Sequence, residues 1–193
     1  MKSFRSILRN LVLDQGASEI AETAMVIPLF FMIFMAIFWF GEAYAIYGTL
    51  AHATRMGAEA AANPACTTCA GATPATNADA AVHSALIASH LSTSNLVPWG
   101  GASPKWTPPN LCACGLVLPS QCTTTQTCDS NATDVCVQEN VQLSYPGNGG
   151  MGTCGTSVSA RYQTPFNFPI PLTDIDMHNL FIPGQAQMRA ETQ

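Results

Sequence analysis

Apolar and polar positions divide the chain into three stretches with different rhythms. Residues 24–41 carry no charged side chain and no periodic polar position. At about 1.5 Å per helical residue such a run covers roughly 27 Å, close to the hydrocarbon thickness of a bilayer. It reads as a membrane-spanning helix, placed at about 24–45. Beyond Gly41 the chain stays rich in alanine, and Ile46, Leu50, Ala53, Gly57 and Ala60 recur at spacings of four, three, four and three. That is a narrow apolar seam on a mixed helix. A single helix starting near Ser18 and stopping at Asn63-Pro64 accounts for both halves.

A second helix is expected over residues 77–91, with Ala81, Val82, Ala85, Leu86 and Ala88 as its apolar positions. Residues 92–134 are crowded with turn-formers and lack period. The last third alternates with period two, which predicts strands. Val137, Val141, Leu143 and Tyr145 lie on one side of the first, Val158, Ala160 and Tyr162 of the second, and Ala186, Met188 and Ala190 of the third. The loop PGNGGMGTCG joins the first two as a hairpin. The expected fold is α+β, a long N-terminal transmembrane helix continuing into a small, disulfide-rich exported domain with an antiparallel sheet. Its segments are a basic leader at 1–17, the helix at 18–62 and a Cys-rich domain at 63–193.

Composition sharpens this picture. The 193 residues are 48% hydrophobic but only 10% charged, against ~25% in an ordinary soluble domain. Net charge is −5 with scattered basic residues, which excludes a nucleic-acid footprint. Lys2, Arg5 and Arg9 precede the apolar run, so the N-terminus is expected in the cytoplasm and the larger part across the membrane. All 8 cysteines (Cys66, Cys69, Cys112, Cys114, Cys122, Cys128, Cys136, Cys154) follow the run. An even number confined there predicts disulfides in an oxidising compartment, with roughly a hundred pairings open.

Motifs for chemistry are weak. GNGGMG at 147–152 has the letters of a dinucleotide loop, with Asp174 at a suitable distance. A strand pattern follows it where a helix N-terminus is needed, so a hairpin loop is the better reading. Cys66-x-x-Cys69 follows a helix end rather than opening one, which argues against a redox dithiol. Cys112-x-Cys114 has no partner motif for zinc. His83 and His90 share a helix face two turns apart, with Ile87 where a third ligand would sit. Asp174 and Asp176 fall in a Pro-rich loop, and Asn131-Ala-Thr133 matches a glycosylation acceptor. No catalytic residues, cofactor or metal site are expected, and no enzymatic activity.

Glu22 poses the sharper question, because a carboxylate at the lip of a lipid-facing segment costs free energy. A signal peptide cut after Ala43-Tyr-Ala45 would have an apolar core longer than the usual length of about 7 to 15 residues. An uncleaved anchor leaves Glu22 idle. Removal of the leader near Gly16 would instead create an α-amino group close to Glu22, on the same or a neighbouring subunit. Pairing the two recovers part of the cost of each charge. Such a pair also sets the axial register of packed helices.

A basic leader, a glycine, and then Glu22-Thr23-Ala24-Met25-Val26-Ile27-Pro28 heading an apolar helix resemble the TadE-like pseudopilins, minor pilins of the tight-adherence (Flp) type IV pilus system. Thr23 stands where that family usually has an aromatic or apolar residue. The similarity continues loosely over 41–58, and at Met188, Arg189 and Glu191 near the C-terminus; the Cys-rich middle is not typical. The resemblance implies a pilus-assembly subunit in the bacterial inner membrane, with roles in secretion and adhesion. It implies processing by a prepilin peptidase at Gly16, Ala17 or Ser18. Cleavage after Ala17 makes Glu22 the fifth mature residue, and cleavage after Gly16 the sixth. The partners implied are other pilin and pseudopilin subunits, the peptidase, the inner-membrane assembly platform and the lipid bilayer. Pro28 would bend the helix where a bundle can absorb the lost hydrogen bond. The competing expectation is a single-span, membrane-anchored extracytoplasmic binding domain unrelated to pili.

Overall fold

The computed structural model describes residues 15–62, 73–99, 106–116, 122, 125–145, 152–164 and 180–189, with side chains in the first helix from Glu22 onward. The leader through residue 14, Cys66, Cys69, Asp174, Asp176, Ala190, Glu191 and the glycine loop at 146–151 lie outside the described residues. Two compact units divide the chain, Met1–Tyr44 and Ala45–Gln193. The elements are α1 (Gln15–Ala62), α2 (Pro74–Ala88), a 3-10 turn at Thr93–Asn95, β1 (Val135–Ser144), β2 (Thr153–Gln163) and β3 (Phe181–Arg189).

Helix α1 has 48 residues and keeps Pro28 in its interior. It begins slightly before the expected Ser18 and ends just ahead of Asn63-Pro64. In the first unit every side chain from 22 to 38 is exposed. The helix is long and apolar enough there to cross a membrane. Phe30 and Phe34 lie one turn apart in a tilted contact, with ring centroids at 4.6 Å.

In the second unit α1 buries one stripe, made of Ile46, Leu50, Ala53, Thr54, Gly57, Ala58 and Ala61. The seam read from the sequence is present, but Ala60 is only half-buried and Ala61 takes its place. Thr54 is completely buried, and its hydroxyl donates to the Leu50 carbonyl oxygen at 3.0 Å. An i−4 bond of this kind lets a polar residue occupy an apolar stripe.

Helix α2 starts and ends earlier than its apolar pattern suggests, and its caps explain both shifts. Thr73 and Thr76 form a reciprocal capping box, the Thr76 amide donating to Thr73 Oγ1 at 3.2 Å and the Thr73 amide to Thr76 Oγ1 at 2.9 Å. Pro74 fills the first turn, where no amide hydrogen is needed. At the other end His90 adopts φ 59°. Its amide donates to the Ile87 carbonyl at 3.0 Å and that of Leu91 to the Leu86 carbonyl at 2.9 Å. This is a Schellman ending built on histidine rather than glycine. Ala75, Ala78, Val82 and Leu86 are buried.

The three strands form one antiparallel sheet in the order β1-β2-β3. One face presents Val135 and Val137, Val158, Ala160 and Tyr162, then Ile182, Gly184 and Ala186, as cross-strand partners. The seam of α1 and the buried face of α2 cover it. A methyl added at Gly57 would lie 2.7 Å from Val82 and 3.4 Å from Val158; one at Gly184 would lie 2.7 Å from Leu50 Cγ. Helix and strand backbones therefore approach closely at these glycines, which is why neither position carries a side chain.

The opposite face lies under a layer tied by three disulfides, Cys112–Cys122, Cys114–Cys154 and Cys128–Cys136. Gln138 fastens this layer, donating from Nε2 to the carbonyls of Pro109 at 3.0 Å and Gln126 at 2.6 Å. One strand expectation needs correction. Val137 pairs with Val158, but Val141 pairs with Gly155. An irregularity between them, with Asn140 at φ 53°, shifts the alternation by one. Val141 therefore faces the disulfide layer and Val137 the helices.

Candidate functional site

The chemistry-bearing residues fall in three places, one in the first unit and two in the second. In the first unit, Gly16, Ala17 and Ser18 lie in the opening turn of α1, and Glu22 is exposed one turn further on. Pro28 lies inside the helix, between Glu22 and the aromatic pair Phe30–Phe34. Met25, Val26, Ile27, Leu29, Phe31 and their successors expose half or more of their surface almost without exception. Apolar exposure on this scale marks a surface made for lipid or for neighbouring helices.

The second place is a cluster that the sequence reading missed. His83 Nε2 lies 3.4 Å from Asp134 Oδ2 and 3.8 Å from Asp79 Oδ1. Asp79 and His83 are one turn apart on α2, whereas Asp134 sits just before β1 and is brought in by the packing of α2 on that strand. Burial raises the Asp79 pKa above its ordinary 3.8, with His83 opposing and Asp134 adding to the rise. His90 sits in the C-terminal cap of α2 and takes no part in this cluster. No group of His, Cys, Asp or Glu among the described residues is arranged to hold a metal ion. The one available signal was the i, i+4 spacing of Asp79 and His83; nothing local pointed to Asp134.

Close by, Glu139 at the bulge of β1 also has a raised pKa, through burial and repulsion from Asp129. Asp129 is engaged in its own turn, its Oδ1 accepting from the Asn131 amide at 2.9 Å. That turn closes the Cys128–Cys136 loop. These acids are thus part of how the disulfide layer bends back onto β1.

The third place is a groove of about 360 Å3 between Trp106–Pro109 and the outer face of β2–β3. Trp106 is fixed by its indole Nε1, which donates to the Val97 carbonyl at 2.8 Å. The guanidinium of Arg161 lies 4.3 Å from the centre of the Phe181 ring. These residues are distant in sequence, and only the sheet register joins them.

Of the 8 cysteines, the six in the described residues are all paired. Their role there is to staple, as expected of a layer with little regular structure.

Comparison with known families decides the character of the N-terminal segment, since residues 11–59 match the family model described as TadE-like protein. This segment is TadE-like. The match takes in Glu22, Pro28, the exposed apolar stretch and most of the buried seam, so one family signature spans both halves of α1. The TadE-like family is one of pilus components, and it is residues 11–59 that are similar to it. No curated protein and no solved structure matches the chain.

Proposed function

We propose that this protein is a non-enzymatic pseudopilin, or minor pilin, that acts in the assembly of a tight-adherence pilus. The observation that carries the proposal is α1 itself. A TadE-like match lies on an unbroken helix whose apolar positions are exposed from 22 to 38 and one-sided beyond Tyr44. An unbroken helix of two characters suits a subunit held first by lipid and then by other helices. Among partners of that kind, pilin-type subunits fit this surface.

In this reading the leader at 1–17 is cytoplasmic and is removed by a prepilin peptidase after Gly16 or Ala17. The domain at 63–193 is exported, consistent with the basic residues before the helix and the disulfides after it. The new α-amino group is largely protonated at neutral pH, and Glu22 neutralises it on the same or an adjacent subunit. Held at a lipid boundary, that pair sets how far one helix slides along the next. The inner-membrane assembly platform would then draw a subunit already in register.

Two measurements test this. The first is the mature N-terminus of protein taken from its own membranes, expected at Ala17 or Ser18. In the second, Glu22→Ala should leave membrane insertion intact and lower the number of assembled pili severalfold. Normal piliation in that variant would remove the register mechanism. An intact Met1 would favour a single-span binding domain instead.

A further inference from the structure

The groove at the outer face of β2 and β3 is not explained by membrane anchoring or by helix packing. Its floor carries Ser159, Arg161, Phe181 and Pro183, and its wall is Trp106 and Pro109. At about 360 Å3 it lies at the small end of the roughly 300–1,000 Å3 typical of ligand clefts. That size admits a short segment.

Three features define what would fill it. The chain as a whole is acidic, at −5, yet the single charged side chain among the described lining residues is a cation, Arg161. Phe181 supports the guanidinium on one face at 4.3 Å, and no carboxylate pairs with Arg161 among the described residues. A planar guanidinium so held presents its N–H fork to a planar carboxylate. The second feature is Ser159, which is only 3% exposed and whose Oγ has no hydrogen-bond partner among the described residues. A buried hydroxyl without a partner is unfavourable, and a ligand atom in the groove relieves it. The third is the wall, where Trp106, Pro109 and Pro183 offer flat apolar faces of the kind that receive proline or aliphatic side chains. With β3 last in the sheet order, a ligand lying along this strand would be extended.

We propose that the groove is a docking site for a short, extended peptide segment of a partner protein. The segment carries one carboxylate side chain flanked by apolar or proline residues. Arg161 anchors the carboxylate, Ser159 takes a hydrogen bond from or gives one to the ligand backbone, and Trp106 covers the flanking side chain. The groove lies in the second unit, and this inference stands whether or not Glu22 sets register in a pilus.

The test uses the full chain in detergent micelles, labelled with 5-fluorotryptophan. Trp39, Trp99 and Trp106 are assigned through their Phe variants. The probes are acetyl-Pro-Leu-Glu-Pro-amide, its Gln counterpart, and maltotriose as a neutral saccharide. The expected result is a saturable shift of the Trp106 resonance with the Glu peptide, with Trp39 unmoved. The Gln peptide should bind at least about tenfold more weakly, as should the Glu peptide to Arg161→Gln. Added salt should weaken only the Glu peptide. If Arg161→Gln does not fold, the Glu and Gln peptides on the wild-type protein decide alone. Equal binding of the two peptides, no saturable shift with either, or a shift with maltotriose only would overturn the proposal.

Discussion

Contact between Leu50 and Gly184 gives the most direct test of how the helix joins the sheet. Leu50 has no exposed surface. A methyl added at Gly184 would lie 2.7 Å from Leu50 Cγ, 3.1 Å from its Cδ2 and 3.2 Å from Thr54 Cγ2. Gly184→Ala alone should therefore overpack the site, at a cost of about 1–3 kcal/mol. Leu50→Ala alone leaves a cavity and should cost about 3 kcal/mol, within the range for a buried leucine. In the double variant the new methyl occupies part of the space the leucine vacated. The two losses should then be less than additive, with a coupling of about 1–2 kcal/mol. For a domain of this size each kcal/mol moves Tm by about 2–4 °C. Thermal unfolding of the full chain in detergent, followed by near-UV circular dichroism, resolves such differences. Phe30→Ala, in the exposed stretch, serves as a control expected to leave Tm unchanged. If the single effects simply add to within about 0.5 kcal/mol, the helix does not rest on β3 at this point and the packing described above is wrong.

Other expectations follow from the staples and the charges. Cys114–Cys154 closes a separation of 40 residues and Cys128–Cys136 one of 8. Loop entropy then assigns losses of about 4 and about 2–3 kcal/mol to their paired replacement by alanine. Denaturant unfolding giving the opposite order would show that native-state contacts, not chain entropy, dominate. Asp79 holds its proton to a higher pH when folded than when unfolded. Its contribution is therefore most favourable at or below the ordinary value near 3.8 and is lost as pH rises through the raised folded value. In Asp79→Asn that descent should be absent, so the Tm of the variant should gain on wild type as pH rises through this window. A Tm difference that does not change with pH would remove Asp79 as its source.

Much of the fold was legible because it rests on composition and period. The uncharged run at 24–41 read as an apolar helix long enough to span a membrane, and Ile46, Leu50, Ala53 and Gly57 announced which side of its continuation is covered. Strand existence was equally plain from Val158, Ala160 and Tyr162. Boundaries were harder, since Thr73-Pro74 and His90 act through capping hydrogen bonds that leave no apolar trace. The bulge at Asn140 was invisible for a similar reason. A left-handed residue changes the parity of a strand without changing its composition, and so Val141 was assigned to the wrong face. The groove was beyond reach, and of the His83 cluster only the i, i+4 spacing of Asp79 and His83 could be read. Trp106 and Phe181 come to line one groove, and His83 meets Asp134, only after the register of the sheet is set.

The position of Gly184 also has a consequence in time. Synthesis produces the seam of α1 well over a hundred residues before the strand that covers it. At about 5–20 residues per second the seam waits on the order of ten seconds for β3. During that interval a continuous apolar stripe stands uncovered. Its makeup suits the delay. Apart from Ile46 and Leu50, the buried positions are alanine, glycine and one threonine satisfied by its own helix, which offer little area for a stray contact. A seam of leucines would grip the sheet more firmly once closed, but it would be far more adhesive while it waits.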